Sequence, residues 1–170
     1  MPDMPHPAQG LPPSDATAGH PEIARRLRAA HGRLPGLALQ AALRIDPTLR
    51  ERHDALALRR FLRDYESHLE QLARALASGE PRFVVTYGES SVPVYRRHGV
   101  RMNDVVSLLR GLEEAATAVV PGAEAAAVHQ VMAAWIERMR HHRRLPGDHE
   151  GNGVVRFLWK GAGLGDDSVV

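Results

Sequence analysis

Apolar residues in the middle of the chain recur every three or four positions, the period of a helix with one buried face. The clearest stripe is Leu58, Leu62, Tyr65, Leu69, Leu72 and Leu76, with Arg59, Arg63, Glu66 and Glu70 on other faces. Asp46 can cap the free N–H groups at the start of that helix and Pro47 suits its first position. The helix reaches Ala77 and closes at Gly79. Two short helices precede it: one opens at Pro21 and Glu22, reaches Ala30 and stops at Gly32, and a second covers about Leu37 to Arg44. Downstream, Pro81 starts a helix that runs to His98 and ends at Gly99; Pro93 inside it removes a backbone hydrogen bond and kinks or splits it. Asn103 and Asp104 mark the first turn of the next helix, which carries Val105, Leu108, Leu109, Leu112, Ala116 and Val119 to a break at Pro121-Gly122. A last long helix, about Ala123 to His142, aligns Val128, Val131, Met132, Trp135, Ile136 and Met139. No window alternates as a half-buried strand does. Phe83 to Tyr87 is the one β-flavoured stretch, and Pro81 ahead of it argues for a helix start.

Four long helices behind two short ones predict an all-α domain over residues 21–160, either an antiparallel bundle or a globin-like packing. Residues 1–20 hold Pro2, Pro5, Pro7, Pro12 and Pro13 without apolar periodicity and read as a disordered leader. The stretch from Val154 to Trp159 is apolar and is expected to return to the bundle, with 161–170 as a flexible tail.

Composition narrows the chemistry. Apolar residues are 44% and charged residues 25% of 170, an ordinary globular balance, while aromatic residues are only 5%. The core is therefore aliphatic, rich in the helix formers Ala and Leu. Cysteine is absent, which excludes disulfides, thiolate metal sites and a cysteine nucleophile. Residues 1–20 have neither the basic start nor the apolar run of a signal peptide, and no segment is apolar enough to span a bilayer, so a cytoplasmic location is expected. A net charge of +2 sets up no global field for nucleic acid, which makes nucleic acid an unfavoured partner.

Ten histidines are the remaining strong metal ligands. Paired metal sites in bundles need Glu-x-x-His on two helices; this chain offers Asp64 with His68 and Glu137 with His141, both four apart, so no metal site is expected. Haem needs one axial His on an apolar helix face. His68, three after Tyr65, answers that description, as do His98 and His129. Arg138, Arg140, His141, His142, Arg143 and Arg144 crowd a helix C-terminus, where cations complement the dipole and could also meet an anion or a partner. Gly161-x-Gly163-x-Gly165 lacks the strand and helix of a phosphate loop. Ser90, Ser91 and Ser107 have no nucleophile elbow, and Glu113-Glu114 and Asp166-Asp167 are adjacent and diverge, so no reaction class emerges.

One family texture is present. The run Leu72 to Pro81, then Tyr95-Arg96-Arg97-His98-Gly99-Val100, then Asn103 to Leu112, resembles the N-terminal regulatory domain of RsbR-type stressosome proteins over roughly residues 45–145. The resemblance implies a globin-like helical fold without haem that pairs through helices and conditions a partner. Those proteins carry a C-terminal output domain, whereas this chain ends about 25 residues after the bundle, and the shared pattern marks helix ends, not a site. The expected function is a non-catalytic sensory or interaction module, a homodimer with a regulatory partner and no cofactor. A small-molecule or tetrapyrrole sensor is the alternative, and a basic nucleic-acid-associated protein comes third. The leading short helices, with Leu37, Leu39 and Leu43, are the expected dimer face unless they cap the chain's own core.

Overall fold

The computed structural model describes residues 19–143, the side chain of Arg143 excepted. The expectations for 1–18, for Val154 to Trp159, for the 161–170 tail and for Arg144 lie outside those residues. Among the described residues seven α-helices follow in order: α1 Pro21–Ala29, α2 Leu34–Ile45, α3 Leu49–Arg52, α4 Ala55–Ser78, α5 Arg82–Arg97, α6 Met102–Ala118 and α7 Ala125–Arg143. One 3₁₀ turn, Gly122–Glu124, leads into α7, and no strand occurs among the described residues. The all-α bundle of four long helices with short leading ones is thus the observed architecture.

The helix stops follow from glycine. Gly79 and Gly99 both adopt φ of 70°, where a side chain is strained. The Glu80 N–H reaches back to the Ala75 carbonyl at 3.0 Å and the Val100 N–H to the Tyr95 carbonyl at 2.9 Å, so both ends close as Schellman turns. Pro93 lies within α5, and the helix is not split there.

The start of the long central helix differs from the reading of Asp46 and Pro47. Asp46 instead follows α2 as its C-cap, α3 makes a single turn, and the chain leaves the helix at His53 (φ −128°, ψ 128°). Asp54 then caps α4, accepting the Ala57 N–H at 2.7 Å. The cause is tertiary. Asp104, 1% exposed in the first turn of α6, accepts from Arg52 and His53 at 2.8 Å each, and Arg52 also bridges to Asp46 at 2.8 Å. A buried carboxylate needs such partners, and meeting them breaks the helix at His53, between α3 and α4.

The core runs between α4, α5, α6 and α7, with α1 laid on α4 and α2 on α6. The α7 stripe is buried as expected, Val128, Met132 and Met139 entirely and Trp135 to 1% exposure. In α4, Leu58 and Leu62 are only partly buried, and Phe61 occupies the core in their place. The α2–α6 crossing is close because Gly111 faces Ala38 and Ala42: a Cβ at Gly111 would lie 2.4 Å from the Ala38 carbonyl oxygen. Leu39 is 9% exposed and Leu43 packs against the same core, leaving Leu37 alone of the three outward-facing, at 41%. The leading helices therefore cap the chain's own core, since their apolar sides find partners within it. His20, placed in the leader by composition, donates its N–H to the Leu76 carbonyl at 2.6 Å.

Candidate functional site

The polar centre of the bundle lies between α4 and α5. His68 is fully interior, yet both ring nitrogens have partners: Nε2 lies 2.9 Å from the Tyr95 hydroxyl and Nδ1 lies 3.0 Å from the Tyr87 hydroxyl. Both tyrosines come from α5, eight residues apart and so on nearly the same helix face. Trp135 of α7 closes the third side, its ring 5.2 Å from His68 and 5.8 Å from Tyr87. That approach needs Gly88, because a Cβ there would meet Trp135 Nε1 at 2.6 Å.

Asp64, one turn before His68, lies close enough to Tyr95 for its charge to act on that hydroxyl, and Ser67 neighbours Tyr87 at the other end. The donor directions follow from valence. An ionised Asp64 draws the Tyr95 hydroxyl proton toward itself, so Tyr95 takes the His68 Nε2–H on its own oxygen. Nδ1 of His68 is then the acceptor of the Tyr87 O–H. Every member of the chain is satisfied with His68 neutral. Burial supports that state, pushing the His68 pKa down to about 4. Burial also raises Tyr95 well above the ordinary phenol range, with the Asp64 charge adding to it. Asp64 itself is raised by burial, against the Tyr95 hydroxyl and the charges of Arg63, Arg60 and His98.

Above this chain opens a cavity of about 420 Å³. Phe61, Val94 and Val100 give it apolar walls, the two tyrosines and His68 its floor, and Arg60 and Arg63 its cationic side, with His98 beside them. His98 Nδ1 sits 3.4 Å from an Arg60 nitrogen. The volume falls within the range of pockets that hold small organic ligands.

The structure gathers some of the residues singled out by sequence and separates others. His68 and His98 share the cavity. Tyr65 lies beside it but turns away, donating its hydroxyl to the Leu108 carbonyl at 2.8 Å and so tying α4 to α6. His129 is remote and exposed on α7, paired with Glu113 at 2.7 Å. An axial bond from His68 to iron would have to displace a tyrosine hydroxyl from one of its nitrogens. Asp64 and His68, noted for their spacing, do belong to one site, joined through Tyr95. No group of three His, Asp or Glu residues able to hold a metal occurs among the described residues.

The basic run at the end of α7 is dispersed. Arg138 is clamped to Glu89 of α5, with Nε at 2.6 Å. Arg140 sits 3.6 Å from Glu137. His141 is exposed, while the half-buried His142 uses its carbonyl to accept from Arg96 at 3.2 Å. Burial first, then neighbouring cations, lowers the His142 pKa. Arg143 ends the helix. Tyr87, Tyr95 and Trp135 were not identified as site residues from sequence; the eight-residue spacing of the tyrosines was the available signal.

The sequence matches no family model and shows no significant similarity to a curated protein. No helix among the described residues is long and apolar enough to cross a membrane.

Proposed function

We propose that this chain is a sensory regulatory module whose input is a small molecule taken up between α4 and α5. The observation that carries this reading is the cavity of about 420 Å³ standing directly on a buried, neutral, doubly hydrogen-bonded His68. A ligand there touches the Tyr87–His68–Tyr95 chain, and through Trp135 it touches α7, so occupancy reaches three of the four long helices. The site favours binding over reaction: the ring nitrogens of His68 are both engaged, and the hydroxyls of Ser90 and Ser91 donate at 2.7 Å to the Tyr87 and Gly88 carbonyls of their own helix. The resemblance of residues 45–145 to RsbR-type regulatory domains supports a signalling role, exercised as a homodimer on a protein partner.

Calorimetric titration with naphthalene-2-carboxamide tests the pocket. The wild-type protein binds it one to one, and Val94→Trp, which fills the mouth from a position 49% exposed and therefore tolerant of substitution, abolishes binding. Binding unchanged by Val94→Trp refutes the assignment.

A further inference from the structure

Resting on the reading of the α4–α5 cavity as a ligand pocket, we propose that its ligand is an amphipathic organic anion, with an apolar body inside and an acidic group at the mouth held by Arg60 and Arg63. The argument is an inventory of donors. Ser90 and Ser91 spend their hydroxyl protons on backbone carbonyls. Tyr87 gives its own to His68, His68 gives its own to Tyr95, and the charge of Asp64 draws the Tyr95 proton away from the cavity. The interior therefore offers a ligand apolar contact with Phe61, Val94 and Val100 and almost no free hydrogen-bond donor.

Donors remain only at the opening. Arg60 and Arg63 stand three residues apart on α4, hence on one face of the helix. Each guanidinium has five N–H groups in a planar fork that matches a carboxylate. Other arginines of the bundle, Arg28 with Glu70, Arg44 with Glu114 and Arg138 with Glu89 among them, are salt-bridged to carboxylates. Among the described residues neither Arg60 nor Arg63 forms such a bridge, although Asp64 feels the charge of both. The nearest polar neighbour of Arg60 is His98, whose Nδ1 lies 3.4 Å from an Arg60 guanidinium nitrogen. Two guanidiniums against one carboxylate leave the mouth cationic.

Asp64 sets the orientation. It lies half-buried beside Tyr95 and repels any second carboxylate brought deep into the cavity. The acidic group must stay outward, with the apolar body toward Phe61 and Val100. A phosphate or sulfonate would meet the same donors as a carboxylate; the apolar walls require that it be carried on a hydrocarbon or aromatic body, which excludes small inorganic anions as the ligand.

The matched probes naphthalene-2-carboxylate and naphthalene-2-carboxamide separate this claim from the reading beneath it. Isothermal titration at pH 7 is expected to show the carboxylate binding at least tenfold tighter than the carboxamide. In Arg60→Gln/Arg63→Gln the preference collapses to within about twofold, while carboxamide affinity is retained. Asp64→Asn tightens carboxylate binding several-fold. Inorganic phosphate at the same concentration gives no heat and does not compete. Equal affinity for the two probes, or a preference that survives the double substitution, overturns the anion claim and leaves the pocket standing. If neither probe binds at millimolar concentration, both the pocket and the anion claim fall. Circular dichroism of each variant confirms that the helices are intact.

Discussion

Acid should weaken this fold through His68 by an amount that can be worked out in advance. The unfolded chain carries an ordinary imidazole near 6.5, whereas the folded chain holds His68 at about 4 because protonation would place a charge in the interior. As pH falls, the unfolded state takes up the proton first. The His68 contribution to stability is thus complete above about 6.5, drains away between 6.5 and 4, and changes no further below that. At about 1.36 kcal/mol for each pH unit of separation, the full loss is roughly 3 kcal/mol, most of it reached by pH 4.5. Asp64 works in the opposite direction, since a carboxyl raised in the folded state is relieved by acid. The informative quantity is therefore a difference. Urea denaturation followed by circular dichroism, at steps from pH 7 to 4.5, should be compared for the wild type and His68→Gln. The variant is less stable at pH 7, having lost part of the tyrosine hydrogen bonding, and its deficit should shrink by roughly 2–3 kcal/mol toward pH 4.5. Curves that stay parallel over the whole range would refute a neutral interior His68.

Four shorter tests bear on the frame around the site. Gly111→Ala should lower stability by about 1–3 kcal/mol despite alanine's better helix propensity, because the new methyl meets the backbone of Ala38 and Ala42 and not a movable side chain; an unchanged or raised Tm contradicts the close α2–α6 crossing. Trp135→Ala should cost about 3–5 kcal/mol in urea titrations, and a harmless loss would place that stripe on a surface. Asp104→Ala strips Arg52 and His53 of their shared buried partner and should cost about 3 kcal/mol or more, a loss that Asp46→Ala at the exposed end of the network should not match. Light scattering at micromolar concentration should give a mass near 37 kDa, twice 18.7 kDa, and a chain that stays monomeric at hundreds of micromolar removes the homodimer from the proposed function.

Local signals were enough for the helix stops and for the faces the long helices bury. Gly79 and Gly99 end α4 and α5 wherever those helices pack, because the left-handed turn is a property of the glycine backbone. The α7 stripe from Val128 to Met139 points one way because its spacing matches the helical period, so its burial was legible without knowing what covers it. His68 shows where that legibility stops. Its place beside an apolar stripe was readable, but whether it would meet iron, water or a hydroxyl depended on which residues α5 set opposite it. Tyr87 and Tyr95 arrive from 19 and 27 positions away, and nothing in the α4 segment encodes them. Asp46 misled for the same reason. As a local cap it was as good as Asp54, and the choice fell to Asp104, more than 50 residues downstream, whose burial demanded Arg52 and His53 as partners. Whether Leu39 and Leu43 would meet a second copy or the chain's own core was likewise open until Gly111 allowed α2 to lie close on α6. Periodicity and glycine stops act over a turn or two of backbone and were settled by the sequence itself. Which polar groups satisfy one another inside, and hence where the pocket lies, was decided only when distant helices were brought within hydrogen-bonding range, since an interior polar group is stable only with the partner that packing delivers.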